Sequence, residues 1–263
     1  GQQTAEAAAT AAGPEAPSPD PSPTPEPKEV VVEIDAAPAP LLLVHDGPEY
    51  DLLAGITAYA GALIEDGRLP AHRVALVHPV ARDAWYSGSP QYLRTIAEAG
   101  LDRLGERYAV AAPVVVMGAS LGGLTAVLLG LLGAPRVGGA FSQSGSFFQV
   151  RHDEAESDYR YFGRISRLVQ AVLDTRHAEH PLTVGMTCGG LEENAANNRD
   201  MANALRRAGH DVRYREVGSG AWWTERGRDW TKSRRELPAR GSRKTEFDPK
   251  STEVGDLQWQ VLA

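Results

Sequence analysis

The stretch VVVMGASLGGLTAVLLG, Val114–Gly130, decides the fold. Its first residues form a continuous apolar run of the kind carried by a strand buried on both faces. A helix-like run, LGGLTAVLLGLLG, follows at once, so a strand hands over to a helix with Ser120 on the bend. GASLGG fits G-x-S-x-G through Gly118, Ser120 and Gly122, a pattern that is weak alone and gains weight from the strand–turn–helix setting. A turn this sharp holds its serine in a strained conformation, and flanking glycines avoid side-chain clashes. The hydroxyl then stands above the strand end, where a helix N-terminus favours negative charge, and the Leu121 N–H points to where an oxyanion would form. Ser120 is thus the candidate nucleophile. The bland alternative is a glycine-rich turn with a serine helix cap.

Working outward, strands alternate with helical patterns. EVVVEI (29–34), PLLLVHDG (40–47), RVALVHP (73–79), PVVVMG (113–118), VGGAFSQSGS (137–146), LTVGMTCGG (182–190) and DVRYREV (211–217) read as strands. LLAGITAYAGALIEDG (52–67), SPQYLRTIAEAGLDRLGERY (89–108), RISRLVQAVLDTRH (164–177) and NNRDMANALRRAGH (197–210) read as helices, the last ended by Gly209. Apolar strands separated by helices predict a mostly parallel sheet covered on both faces, with its ligand site at the strands' carboxyl ends. Residues 1–28, rich in Ala, Pro, Ser and acidic residues, read as a disordered tail; residues 29–217 are the folded core; residues 218–263 carry mixed charges without periodicity and read as a divergent segment.

The totals narrow the function. With 263 residues and a net charge of −7, the chain suits one α/β domain and lacks the basic face of a nucleic-acid binder. No run approaches the roughly 18 apolar residues that span a bilayer. The single cysteine, Cys188, forbids an internal disulfide and fits a cytoplasmic setting. It reads as a small buried filler, since nothing in its neighbourhood would activate it. The start lacks a methionine and a signal-peptide core, which reads as a fragment or a processed product. No histidine pair shows metal-ligand spacing, and no cofactor is expected.

The motifs LLLVHDGPEY, RDAWYSGSPQY, VVMGASLGGL, FSQSGSFF and TCGGLEENAANNRDMANALRRAGHDV occur in one order, and from about Pro40 to Val217 the chain resembles the enterochelin esterase-like family of actinobacterial type. The resemblance implies the α/β-hydrolase fold, a three-layer sandwich, and a serine hydrolase acting on a small-molecule ester. It implies a further oxyanion N–H near Asp46 and Gly47, and a role at the edge of the site for Arg82, in touching substrate or in holding the loop. The plain alternative for Arg82 is a surface salt bridge. It places the triad acid at Glu192, which would hold an imidazole in the right tautomer, and leaves Glu193 as a solvated residue in a first helical turn.

A triad on this fold runs serine, acid, histidine. The resemblance places the histidine in a Gly/Ala-His-Asn/Asp-Trp motif after DVRYREV. This chain has GSGAWW there and no histidine beyond His210. His72, His177, His180 and His210 precede strands and fall on the wrong edge of the sheet. His45, His78 and His152 follow strands and could line the mouth of the site, although the family does not use them as base. Three readings follow: a serine esterase with a base from an unexpected position, a catalytically inactive α/β-hydrolase-like binding protein, or a frameshifted or truncated esterase product.

Overall fold

The strand expected at the HDG motif forms as β1 (Ala39–His45) and starts the part of the computed structural model that describes the chain, residues 37–217. The tail at 1–28, the strand expected at 29–34 and the segment 218–263 lie outside the described residues. Five further strands follow: β2 (Arg73–Val77), β3 (Val110–Ala119), β4 (Val137–Gln143), β5 (Thr183–Gly189) and β6 (Asp211–Val217). They order as β2-β1-β3-β4-β5-β6, and every neighbouring pair is parallel. Parallel neighbours need crossovers, which the helices provide.

Side-chain alternation along the strands divides the core between the two faces. Leu41 and Leu43 of β1 join Val114 and Val116 of β3 in one apolar cluster, while Leu42 and Val44 join Val115, Met117 and Ala119 in another. Helices α1 (Gly47–Ala54) and α2 (Ile56–Glu65) cover the second cluster through Tyr50, Ile56, Ala60 and Leu63. The first is covered by α4 (Pro90–Thr95), α6 (Leu121–Gly133), α7 (Phe162–Asp174) and α8 (Ala195–Ala208). The result is the three-layer α/β-hydrolase sandwich that the family resemblance implied.

Two helical expectations needed revision. The single helix expected over 52–67 is two, because Gly55 takes the left-handed conformation (φ 60) and closes α1 by donating its N–H to Asp51 O at 3.0 Å. α1 also starts earlier, inside the HDG motif, with Pro48 in its first turn, where a missing N–H costs nothing. RDAWY forms α3 (Arg82–Tyr86). The helix expected over 89–108 runs as α4, a π-helical turn at Ile96–Gly100 and α5 (Leu101–Arg107). No helix among the described residues is long and apolar enough to cross a membrane.

Candidate active site

Three non-glycine residues have positive φ among the described residues: Asp46 (54°), Ser120 (55°) and Ser144 (45°). Each immediately follows a strand, β1, β3 and β4, three neighbours at the centre of the sheet. Such backbone costs about 1–3 kcal/mol per residue and persists only where the surroundings enforce it. The carboxyl edge of the sheet therefore concentrates strain at three adjacent strand exits.

Ser120 is the sharpest of these, with φ 55 and ψ −121 at the N-cap of α6. Its N–H donates to Gln143 O at 2.9 Å and its carbonyl accepts from Leu124 N–H at 3.1 Å, so one residue joins the ladder to the helix. The close return of the chain explains Gly118: a Cβ there would lie 2.5 Å from the backbone of Gly122. Leu121 opens α6, where backbone N–H groups lack intrahelical acceptors. Gln143 also accepts the Tyr50 hydroxyl on its side-chain oxygen, tying β4 to α1 beneath the elbow.

Asp46 and Gly47 stand between β1 and α1. The Asp46 carboxylate is almost completely buried and takes Arg82 in a two-pronged pair, Nε at 2.9 and 3.0 Å and Nη2 at 2.7 Å. Its backbone N–H donates to the Tyr86 hydroxyl at 3.3 Å, and the Arg82 guanidinium lies 5.5 Å from the centre of the Tyr86 ring. Arg82 thus holds the loop from α3. Asp46, one of the two expected oxyanion donors, already has a partner for its N–H.

Glu192 follows β5 as expected. One carboxylate oxygen accepts the Ser144 hydroxyl at 3.0 Å and the Gly189 N–H at 2.8 Å. The other lies 3.8 Å from Cys188 Sγ, and burial, with the nearby Glu192 charge, pushes that thiol up to about 12. Cys188 is therefore a protonated filler at neutral pH, not a nucleophile. Glu193 is exposed. Gly190 N–H donates to Val217 O at 3.0 Å, so β6 ends beside the loop that carries Glu192; Arg199 fixes that strand end through Glu216 at 2.8 Å.

The histidines divide by environment. His45 is wholly buried against Tyr86 and Tyr92, with ring centroids 5.1 and 6.1 Å away. Its Nδ1 donates to Met117 O at 3.2 Å, which leaves Nε2 without a proton, and that atom is buried without a hydrogen-bond partner. Burial lowers its pKa to about 4, so it is neutral. His78 lies 4.0 Å from Glu49 on a half-exposed surface. His152 turns its Nε2 to Asp200 at 3.0 Å, sharing that carboxylate with Arg151 and Gln149. His210 accepts the Leu182 N–H at 3.1 Å at the opposite edge of the sheet, and burial lowers its pKa. Neither His45, His78 nor His152 hydrogen-bonds Ser120. The loop expected to carry a catalytic histidine begins at residue 218, outside the described residues. No group of three or more His, Cys, Asp or Glu among the described residues could hold a metal ion.

The hydroxyl that does meet Ser120 is one the sequence reading passed over. Ser146 Oγ lies 3.1 Å from Ser120 Oγ, and Ser146 N–H donates to Ser120 O at 3.0 Å. Its signal was present in FSQSGSFF, but nothing in a linear pattern says that this loop reaches the elbow 26 residues away. The segment 147–164 is tied to α3 by Ser87–Tyr159 (2.9 Å) and by Arg164, which donates to Ser87 O and Ala84 O at 2.7 Å. Between them lies a groove of about 430 Å³ lined by Ala81–Ala84 and Tyr159–Tyr161.

A family model described as "Putative esterase" matches residues 32–237. No curated protein sequence matches the chain. Similar solved structures include the enterobactin esterase of Shigella flexneri, at 20% identity and TM-score 0.58 over 69% of this chain and 48% of that one. The ferric enterobactin esterase of Salmonella typhimurium has 18% identity and TM-score 0.54, over 72% of this chain and 48% of that one. A ferulic acid esterase has 14% identity and TM-score 0.53, over 71% and 80%. The chain spans about half the length of the two enterobactin esterases. At these identities the likeness is one of fold, and a fold hosts many activities.

Proposed function

The chain belongs to the family described as Putative esterase, and on that premise we propose that it is a serine carboxylic-ester hydrolase that turns over slowly through an acyl-enzyme on Ser120. The observation that carries this reading is the strained Ser120 backbone at the bend between β3 and α6, where the side chain caps no N–H of the helix. Ser120 Oγ bonds to the acyl carbon, and the N–H groups of Leu121 and Gly47 receive the oxyanion. The alcohol then leaves with the proton that Ser120 gives up, and water cleaves the acyl-enzyme. Asp46 and Arg82 hold the oxyanion loop. Glu192 is the acid that would orient an imidazole.

The slowness follows from the missing base. Removing the histidine of a serine hydrolase costs about 10⁶ in turnover and leaves roughly 10³–10⁴ over water, from oxyanion stabilisation and binding. With His45, His78 and His152 bonded elsewhere or buried, the same geometry favours a second reading, an ester-binding protein that does not cleave. Hydrolysis of p-nitrophenyl acetate by the chain and by Ser120→Ala separates them. A rate at least tenfold above the variant supports the esterase. Equal rates at the buffer background remove it and leave the binding reading.

A further inference from the structure

We infer that Ser146 is a second catalytic hydroxyl, donating its O–H to Ser120 Oγ as negative charge develops there; this rests on the reading of Ser120 as nucleophile. The two oxygens lie 3.1 Å apart, within the reach of a hydrogen bond, and Ser146 is nearly buried. A flexible surface serine at that distance would mean little, but the loop carrying Ser146 is clamped on every side. Ser144 N–H donates to Thr187 O at 2.7 Å and Ser146 N–H to Ser120 O at 3.0 Å. From α8, Asn198 grips Gly145 twice, accepting its N–H at 3.1 Å and donating to its carbonyl at 2.9 Å. Asn194 donates to Ser144 O at 2.8 Å and to Gly145 O at 3.3 Å. Gly145 admits no side chain, since a Cβ would lie 2.4 Å from the Phe147 ring and 2.6 Å from Ser142 Oγ. Two buried asparagine contacts, a strained Ser144 and a sterically required glycine thus fix one hydroxyl against the reacting oxygen.

The chemistry follows from donor count. Ser120 Oγ has two lone pairs and one proton. The proton must leave as the oxygen bonds to the acyl carbon, and in the net step it departs on the released alcohol. Ser146 keeps its own proton throughout and turns it toward Ser120 Oγ. A donor to the charged form lowers the proton affinity of that oxygen. When the acyl-enzyme breaks down, Ser120 Oγ is the leaving group and the same donor supports it again. Among the described residues, whose histidines leave the nucleophile alone, this hydroxyl is the polar side chain that hydrogen-bonds it.

The test uses the full chain and a fluorophosphonate that labels activated serines, followed by intact-mass measurement across pH 6–10. Ser146→Ala is expected to label about ten- to a hundredfold more slowly, the range for a lost hydrogen bond to a charged group, with its rate-versus-pH curve displaced to higher pH. Ser146→Thr, which keeps the hydroxyl, should restore most of the rate. Matching thermal unfolding of the variants excludes a folding defect. Should Ser146→Ala label at the wild-type rate and pH while Ser120→Ala does not label, Ser146 has no role and the Ser120 reading stands. A slow Ser146→Ala with an unmoved pH curve and no rescue by threonine also overturns the inference, because packing alone would then account for it. Equal labelling of wild type and Ser120→Ala overturns the nucleophile and this inference together.

Discussion

Replacing Arg82 with alanine should unfold the Asp46 loop before it touches anything else. The Asp46 side chain is 4% exposed and Arg82 31%, so the variant strands a carboxylate that water reaches only through the gap left behind. At 2.7 Å and an effective dielectric of about 20, the attraction lost is about 6 kcal/mol, much of it offset by the desolvation that pairing required. Breaking a buried pair on one side costs about 3–5 kcal/mol. The partial exposure of Arg82 puts this one at the lower end, about 3 kcal/mol. For a folded part of this size that is a fall of roughly 6–12 °C in Tm. Urea unfolding followed by tryptophan fluorescence and by circular dichroism gives the free energy. The double variant Asp46→Asn/Arg82→Ala removes the buried charge together with its partner and should recover at least about half of the loss. A loss below about 0.5 kcal/mol for Arg82→Ala, the range of an ordinary surface change, would show that water already screens the pair. So would a double variant no more stable than the single one. Arg82 would then be the surface salt bridge its sequence equally allowed.

Acid should expose His45. Its folded pKa of about 4 lies below the ordinary value of 6.5, so the unfolded chain binds the extra proton between those limits; stability is whole above pH 6.5 and falls as pH drops toward 4. From this group the loss between pH 7 and 5 is about 2 kcal/mol, and His45→Asn should flatten that part of the urea-unfolding profile; an unchanged slope would mean that His45 is not buried neutral. Cys188, buried and held protonated, should react with iodoacetamide at least about a hundredfold more slowly in the native protein than in urea at pH 8, and comparable rates would place it at the surface.

What the sequence discloses follows from how far each feature reaches along the chain. The elbow was legible because β3, Ser120 and α6 are contiguous and each carries its own local pattern. His45 was half legible: strand parity sets it on the same face as Leu41 and Leu43, which is where Tyr86 and Tyr92 bury it. The break at Gly55 was hidden because its neighbours keep helical periodicity across it. The contacts that shape the site were not legible in any local pattern, and the family resemblance pointed to one of them alone, the hold of Arg82 on the loop. Arg82 reaches Asp46 across 36 residues, Asn198 grips Gly145 across 53, and Glu192 meets Ser144 across 48. Those pairings are products of strand order, and strand order is settled by packing, not by any one segment. Tyr86 shows the same limit, since a tyrosine in RDAWY gives no hint that its hydroxyl will take the Asp46 N–H.

The hydrogen bond from Gly190 to Val217 has a consequence for anyone who wishes to rebuild this protein. It makes the end of β6 a tether whose anchor already stands beside the loop that carries Glu192. A histidine substituted a few residues beyond Val217 begins its search for the site at the site, and doubling the connecting length adds only about 0.6 kcal/mol of closure entropy. Installing an imidazole at this point is accordingly a question of which residues stand in the stretch that follows Val217, and the six strands beneath can be left as they are.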